Sequence, residues 1–361
     1  MKIALISLAR RGGMIHFHSE LFYALAEIMP VTAVISNDAA TSYGPQNPHI
    51  LTVDLGRGAM GTFLHAFNPF SWQRLYRTLK ISEADFFHIV ASHEWNPIMA
   101  FLARLMKKPL IFTIHDPEHH LGTPFYIKVS DTITARMADM IVVLSQLGQR
   151  QLIKKGYAPG KIQQIPIGVY SFFSQRNMSI VPQEKMVLFF GRIEPYKGLD
   201  ILLKAFRQIG TSLPDWKLII AGNGDFSEYA TLAEHKQIEV INRFINDEEV
   251  AQLMQRAGFV ALPYTEATQS GVIPIAYAFA RAVIATDVGS LGEAVQDGKT
   301  GFLIRPNDVS ELVQAILRLA KDPILCNKMG QSAHEFANTE WSWGKIAETH
   351  LKVYSQILQQ K

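Results

Sequence analysis

Along the first half of the chain, short apolar runs alternate with longer stretches in which apolar residues recur every three or four positions. The runs Lys2–Ser7, Val31–Ile35, Phe86–Ala91, Leu110–Ile114, Met140–Leu144 and Lys161–Ile165 are rich in Ile, Val and Phe and are bounded by Gly, Pro, Asn or Ser, which predicts strands. A second series follows at Met186–Phe190, Trp216–Ala221, Ile238–Ile241, Phe259–Leu262, Val283–Thr286 and Phe302–Ile304. Between the runs, Asn96-Pro97 opens a helix with proline in its first turn, and the stretch after Gly198 sets Leu199, Leu202, Leu203, Phe206 and Ile209 on one helical face. Strand–helix alternation without hairpin turns predicts parallel sheets covered on both faces, because a parallel connection must cross over the sheet. Two such series predict an α/β protein of two doubly wound domains joined near residue 178, within the polar stretch Ser174–Gln183. The expected divisions are 1–177, 178–343 and a last helix, 344–361. That helix places Ile346, Ala347, Leu351, Tyr354 and Leu358 on one stripe with no strand after it, so it has to pack on a domain already formed.

Composition narrows the class without naming a function. The 361 residues are 48% hydrophobic and 19% charged, which excludes a disordered or fibrous chain and leaves room for two cores. The single cysteine, Cys326, excludes an internal disulfide framework and a cysteine-built zinc site, and points to a reducing, cytoplasmic compartment. The apolar start Met1–Ser7 reaches Arg10-Arg11 at once, unlike a signal peptide, and the apolar stretch 271–280 is cut by Arg281 well short of the ~20 residues that cross a bilayer. No spanning segment is expected. Residues 1–174 carry 16 Lys+Arg against 11 Asp+Glu and the remainder 19 against 21. The basic first half suits a phosphorylated ligand or an anionic membrane face, or reflects nothing more than uneven sampling. The segment 57–80 mixes Met60, Phe63, Leu64, Phe67, Phe70 and Trp72 with Arg57, Arg74, Arg77 and Lys80. Aromatics beside cations suit an interfacial patch, and equally a helix packed on its own domain.

Three strand-end loops hold the candidate chemistry, since open α/β sheets place ligands outside the carboxyl ends of their strands. Leu8–Met14 contains Gly12 and Gly13 before a helix, where the backbone approaches a ligand closely, though the pair also serves as a plain tight turn. The loop Phe190-Gly191-Arg192-Ile193-Glu194-Pro195-Tyr196-Lys197-Gly198 offers a guanidinium and an ammonium, the pair a diphosphate leaving group requires as charge builds on its oxygens; the alternative is two solvated cations. In Leu262–Pro274, Glu266 is placed to accept hydrogen bonds from sugar hydroxyls. The amides of Ser270, Gly271 and Val272 open a helix suited to phosphate, with a simple cap at Thr268 or Ser270 as the bland reading.

The order Gly191-Arg192-x4-Lys197-Gly198, Ala221-Gly222-Asn223-Gly224, Val283-Ile284-Ala285-Thr286, Gly289-x-x-Gly292-Glu293 and Asp297-Gly298-Lys299-Thr300-Gly301 resembles the retaining glycosyltransferases of family 4 (glycosyl transferases group 1). The resemblance covers nearly the whole chain and is most specific over 186–305. It implies the GT-B fold: two Rossmann-like domains with a cleft between them and a C-terminal helix crossing back to the first domain. By the same resemblance Arg192 and Lys197 hold the donor diphosphate, His115 faces the transferred sugar and Glu266 holds its hydroxyls. Gly12, Gly13, Asn223, Ile245, Ser270, Gly271 and Val272 then fall at donor-binding positions. One departure stands out. The family's two glutamates fall on Ala267, with Glu266 one position early, and on Ile275, so the residue that ordinarily binds the ribose is missing. His115 with Asp116, His119 and His120 also permits a metal as a minor reading, but the family pattern implies neither metal nor cofactor. The implied activity is retaining transfer of a sugar from a nucleoside-diphosphate sugar to a glycan or lipid-linked acceptor, in polysaccharide or glycoconjugate synthesis, with membrane contact through 57–80 and no nucleic acid as partner. The competing readings are a nucleotide-sugar epimerase on the same fold and a catalytically weak nucleotide-sugar-binding subunit.

Overall fold

Ile3, Ala4, Leu5, Ile6 and Ser7 are all buried, as a strand in the middle of a sheet covered on both faces has to be. They form β1 (Ile3–Ser7) of a computed structural model that describes residues 1–10, 12–43, 47–56, 58–66, 68–119, 123–174 and 182–359. Arg11, Arg57, Phe67, His120 and the expected boundary at 177/178 lie outside the described residues, as do the side chains of Met60 and Phe63.

The first unit spans Met1–Ile167 and Trp343–Lys361. After β1 come α1 (Gly13–Ala26), β2 (Val31–Ser36), β3 (Ile50–Val53), α2 (Gly58–Ala66), α3 (Pro69–Ile81), β4 (Phe86–Ile89), α4 (Asn96–Leu105), β5 (Leu110–Ile114), α5 (Phe125–Met137), β6 (Met140–Val143), α6 (Gln146–Lys154) and β7 (Ile162–Gln164). The strands form one parallel sheet in the order β3-β2-β1-β4-β5-β6-β7. Periodicity does not predict β3: it is a four-residue edge strand on which Val53 is the one fully buried position. Alternate strand residues serve opposite faces. Ala4, Ile6, Phe87, Ile89 and Phe112 pack under α3, α4, α5 and α6 through Leu75, Leu79, Met99, Ala135 and Leu152. On the other face, His18 of α1 bonds the Leu5 carbonyl and His88 meets Tyr354 from the last helix.

The second unit, Gly168–Ser342, contains α7 (Ser171–Ser174), β8 (Met186–Phe190), α8 (Leu199–Ile209), β9 (Lys217–Ala221), α9 (Ala230–Ala233), β10 (Ile238–Ile241), α10 (Asp247–Arg256), β11 (Phe259–Leu262), α11 (Val272–Ala278), β12 (Ala282–Thr286), α12 (Leu291–Ala294), β13 (Gly301–Ile304), α13 (Val309–Lys321) and α14 (Pro323–Glu340). Its parallel sheet runs β10-β9-β8-β11-β12-β13. Residues 168–174 belong to this unit rather than the first, because the Val169 amide donates to the Trp341 carbonyl at 2.8 Å and Tyr170 and Phe173 are buried.

The last helix, α15 (Trp343–Gln359), belongs to the first unit and packs on α1, with Phe17 set edge-on to Trp343 at 5.7 Å. Its buried stripe is Ile346, Ala347, His350, Val353, Tyr354 and Ile357, which keeps Ile346, Ala347 and Tyr354 of the line that periodicity selects and leaves Leu351 and Leu358 half-buried. The Tyr354 hydroxyl reaches His88 Nδ1 at 2.8 Å, and His350 stands 5.6 Å from the His88 ring, so polar groups share this seam with the apolar ones.

Candidate active site

In each sheet the strand order reverses once, between β1 and β4 and between β8 and β11. Loops leaving two such strands diverge to opposite faces and open a crevice at their carboxyl ends. In the second unit the loops at that point are 191–198 and 263–271, the two that carry most of the candidate chemistry.

Lys197 closes the short helical turn Pro195–Lys197 and is 8% exposed. Its ammonium meets the Tyr264 hydroxyl at 3.0 Å, and among the described residues no carboxylate pairs with it. Gly191 makes this placement possible. Its φ of 126° lies in the region that favours glycine, and a Cβ there would stand 2.8 Å from Lys197 Nζ. The two loops are tied together as well. Gly198 (φ 63°) presses its Cα against the Pro263 carbonyl, where a Cβ would fall 2.0 Å from the oxygen, and the Thr265 amide donates to the Tyr196 carbonyl at 2.7 Å. Arg192 is different in kind: its side chain is 67% exposed and touches Glu194 at 3.4 Å.

Glu266 is exposed on the 263–271 loop, whose shape is held by the 289–290 turn: Ser290 Oγ donates to the Thr268 carbonyl, and Gly289 abuts the Ala267 carbonyl. At the start of α11 the Val272 amide donates to Ser270 Oγ at 3.3 Å, so Ser270 has a capping part there. Val272 also approaches Gly191. Asn223 is exposed, and its carbonyl accepts from the Ile193 amide at 2.9 Å. Ile245 is buried just before Asn246, which caps α10. Ile275 is 8% exposed in a wholly buried helix, so no acidic side chain occupies that position. The structure thus brings Gly191, Lys197, Val272 and Tyr264 together, while Arg192 and Glu266 reach outward. Tyr264 has no role in the sequence reading; its signal was an aromatic hydroxyl two residues past a core strand.

In the first unit Gly12 (φ 86°) caps α1 without a side-chain bond, with Gly13 as the first helical residue. Arg10, beside them, is committed to its own unit through the Gly56 carbonyl and Thr62 Oγ1, each at 2.6 Å. His115 leaves the end of β5 with Nε2 donating to the Val90 carbonyl at 2.8 Å and Phe17 edge-on to its ring at 4.9 Å. Burial pushes its pKa down to about 4, so the imidazole is neutral near pH 7. Near it, the Ser92 hydroxyl donates to Asp131 Oδ2 at 2.7 Å, and burial lifts that carboxyl to about 6.

Two doubly wound parallel sheets, each with candidate loops at the carboxyl ends of its strands, have the GT-B fold. Residues 31–170 match Glycosyltransferase Family 4 and residues 184–322 match Glycosyl transferases group 1. The chain belongs to this family. An uncharacterised glycosyltransferase of Methanocaldococcus jannaschii is 26% identical over 289 residues, 77% of this chain and 78% of the relative. A phosphatidyl-myo-inositol mannosyltransferase of Mycobacterium tuberculosis is 27% identical over 310 residues, 81% of this chain and 79% of the relative. The crystal structure of an Anabaena protein in complex with UDP and glucose shares the fold, with a TM-score of 0.77 at 20% identity over 99% of this chain and 100% of that one.

Proposed function

We infer that this glycosyltransferase takes a nucleoside-diphosphate sugar as donor and transfers the sugar, with retained anomeric configuration, to a glycan or lipid-linked acceptor. The observation that carries the reading is Lys197: a buried ammonium whose neighbour is a phenol rather than a carboxylate. A cation withdrawn from water without a counter-charge favours an anionic ligand, and a departing diphosphate supplies one whose charge grows in the transition state. Arg192 and the amides of Gly271 and Val272 extend the same environment, and Glu266 serves the sugar hydroxyls. The UDP and glucose held by the Anabaena relative of this fold, and the phospholipid acceptor in the name of the mycobacterial relative, point the same way.

In this reaction the bond from the anomeric carbon to the diphosphate oxygen breaks, and a bond to the acceptor hydroxyl oxygen forms on the same face. The hydroxyl proton passes to the departing diphosphate. His115, neutral near pH 7, acts as a hydrogen-bonding group towards the sugar rather than as a charge. The mechanism so written requires no metal.

The test is a panel of nucleotide sugars read by thermal shift and by release of nucleoside diphosphate, with the product's anomeric configuration followed by NMR. A donor that binds raises the melting temperature by mass action, by about 2.7 kcal/mol of stability at a hundred times its Kd. Acceptor-dependent release with retained configuration is expected. Conversion of the donor to an epimer without acceptor, or binding without turnover, overturns the assignment in favour of an epimerase or a binding subunit respectively.

A further inference from the structure

Among the described residues, one group of helices on the first unit stands out in its charge and in its exposed apolar side chains. Helices α2 to α6 all cover the same side of the first sheet, and together they contain a single acidic residue, Asp131, which is buried and hydrogen-bonded to Ser92. Each helix of ten or more residues elsewhere, namely α1, α8, α10, α13, α14 and α15, carries an Asp or Glu outside the core. The face without carboxylates is also where large apolar side chains stand in the open. Phe70 (76% exposed) and Trp72 project from α3, Phe101 and Leu105 from α4, and Phe125 (79% exposed) and Tyr126 from α5. On α5 the stripe continues through Val129 and Ile133, a helical spacing, while Asp131 and Thr134 turn inward. In the second unit, by contrast, the exposed large apolar side chains among the described residues are Phe244 and Ile324. Cations are interleaved: Arg77, Lys80, Arg104 and Arg136 are all exposed on the same helices.

We propose that the outer surface of α3, α4 and α5 is a docking face for an anionic lipid bilayer. The contact is interfacial, since no helix among the described residues is long and apolar enough to cross a membrane. Aromatic rings and branched side chains enter the headgroup boundary while Arg and Lys remain at phosphate level, each half of the pattern strengthening the other. Charge complementarity selects this occupant over a second copy of the chain. A two-fold interface would set this patch against itself, bringing cations onto cations; the helices offer no exposed carboxylate of their own, and Asp54 on the rim is already paired with Arg74 at 3.8 Å. The face is wider than the 57–80 segment and is centred on α4 and α5, and the proposal stands whether or not the donor reading is correct.

The experiment is sedimentation of the full chain with vesicles of phosphatidylcholine alone and of phosphatidylcholine with phosphatidylglycerol, at low and high salt. Binding to the anionic vesicles at low salt is expected, with little to the neutral ones and a decline as salt rises. Arg77→Gln/Lys80→Gln/Arg104→Gln should weaken binding about fivefold per cation removed, about a hundredfold in all. Phe101→Ser/Phe125→Ser should abolish the part of the binding that survives high salt. All five side chains are exposed, so thermal melts of both variants should match the wild type, and each variant checks the other. Failure of the wild type to sediment with anionic vesicles at low salt overturns the proposal. So does wild-type binding by both variants, or a concentration-dependent dimer in sedimentation velocity that the same substitutions dissolve.

Discussion

Lys197 illustrates how one residue sets stability against function. Its buried ammonium lacks a carboxylate partner, so the ligand-free protein bears a desolvation cost that an anionic ligand removes. Lys197→Met should therefore raise the melting temperature of the ligand-free protein, by about 1–2 kcal/mol of stability, while lowering kcat by ~10²–10³. An unchanged kcat, or a lower melting temperature, would contradict the assignment. Arg192→Ala should cost less than Lys197→Ala, because a side chain 67% exposed is screened by water. Tyr264 acts through the lysine. Tyr264→Phe should reduce kcat about ten- to a hundredfold with little change in donor KM, the range for losing one hydrogen bond to a charged group. A change confined to KM would mean that Tyr264 touches the donor itself. The ribose poses a separate question. With Ile275 buried where the family places a glutamate, discrimination between ribose and deoxyribose donors should be weak, because a charged acceptor typically worth ~1.5–3 kcal/mol is missing. A large ribose preference measured by competition binding would show that another group has taken over. The loops holding Lys197 and Glu266 were legible in the sequence because they follow apolar strands; the partner of Lys197 was not, because Tyr264 lies 67 residues away.

At the scale of elements, α1 and α15 press His18 and His350 against the first sheet, where β4 adds His88. His18 and His350 are pushed down to about 4 by burial, and His88 falls well below its ordinary value for the same reason, reinforced by His350. Each is neutral in the folded state and titrates near 6.5 when unfolded, so below pH 6.5 the unfolded chain binds more protons. Stability is complete above that pH and declines as pH falls towards 4, by up to about 1.4 kcal/mol per pH unit for each histidine. Denaturant midpoints measured from pH 7.5 to 4.5 should show this decline. His350→Leu should flatten it by one histidine's share, at the loss of the bond from His350 Nδ1 to the Ile346 carbonyl at 2.9 Å, while the buried Nε2 has no partner. A slope unaffected by the substitution would place the acid sensitivity elsewhere. Periodicity identified α15 and three residues of its buried stripe, Ile346, Ala347 and Tyr354; it missed His350, because the pattern counts apolar residues and His350 is buried beside His88. It missed β3 for a related reason: a four-residue edge strand buries too little on either face to imprint an alternation.

At the scale of the whole molecule, the chain has two units, each with a core of its own, and two unfolding transitions are expected in calorimetry. A nucleoside diphosphate should raise the one belonging to Gly168–Ser342, since Lys197 lies there; a shift confined to the other transition would move the donor site. The sequence by itself determined the parallel α/β class, twelve of the strands, the family and the loops that carry the candidate site. Those features are local: a buried parallel strand must be a continuous apolar run, and a loop that follows it must lie at the sheet's carboxyl edge. Tertiary structure alone decided which unit received residues 168–174, that His350 of α15 is buried beside His88, what surrounds the Lys197 ammonium, and that the helices without exposed carboxylates of their own share one side of the first sheet. Each of these depends on groups brought together from distant positions, and a pattern read along the chain holds no record of that distance until the sheet has formed.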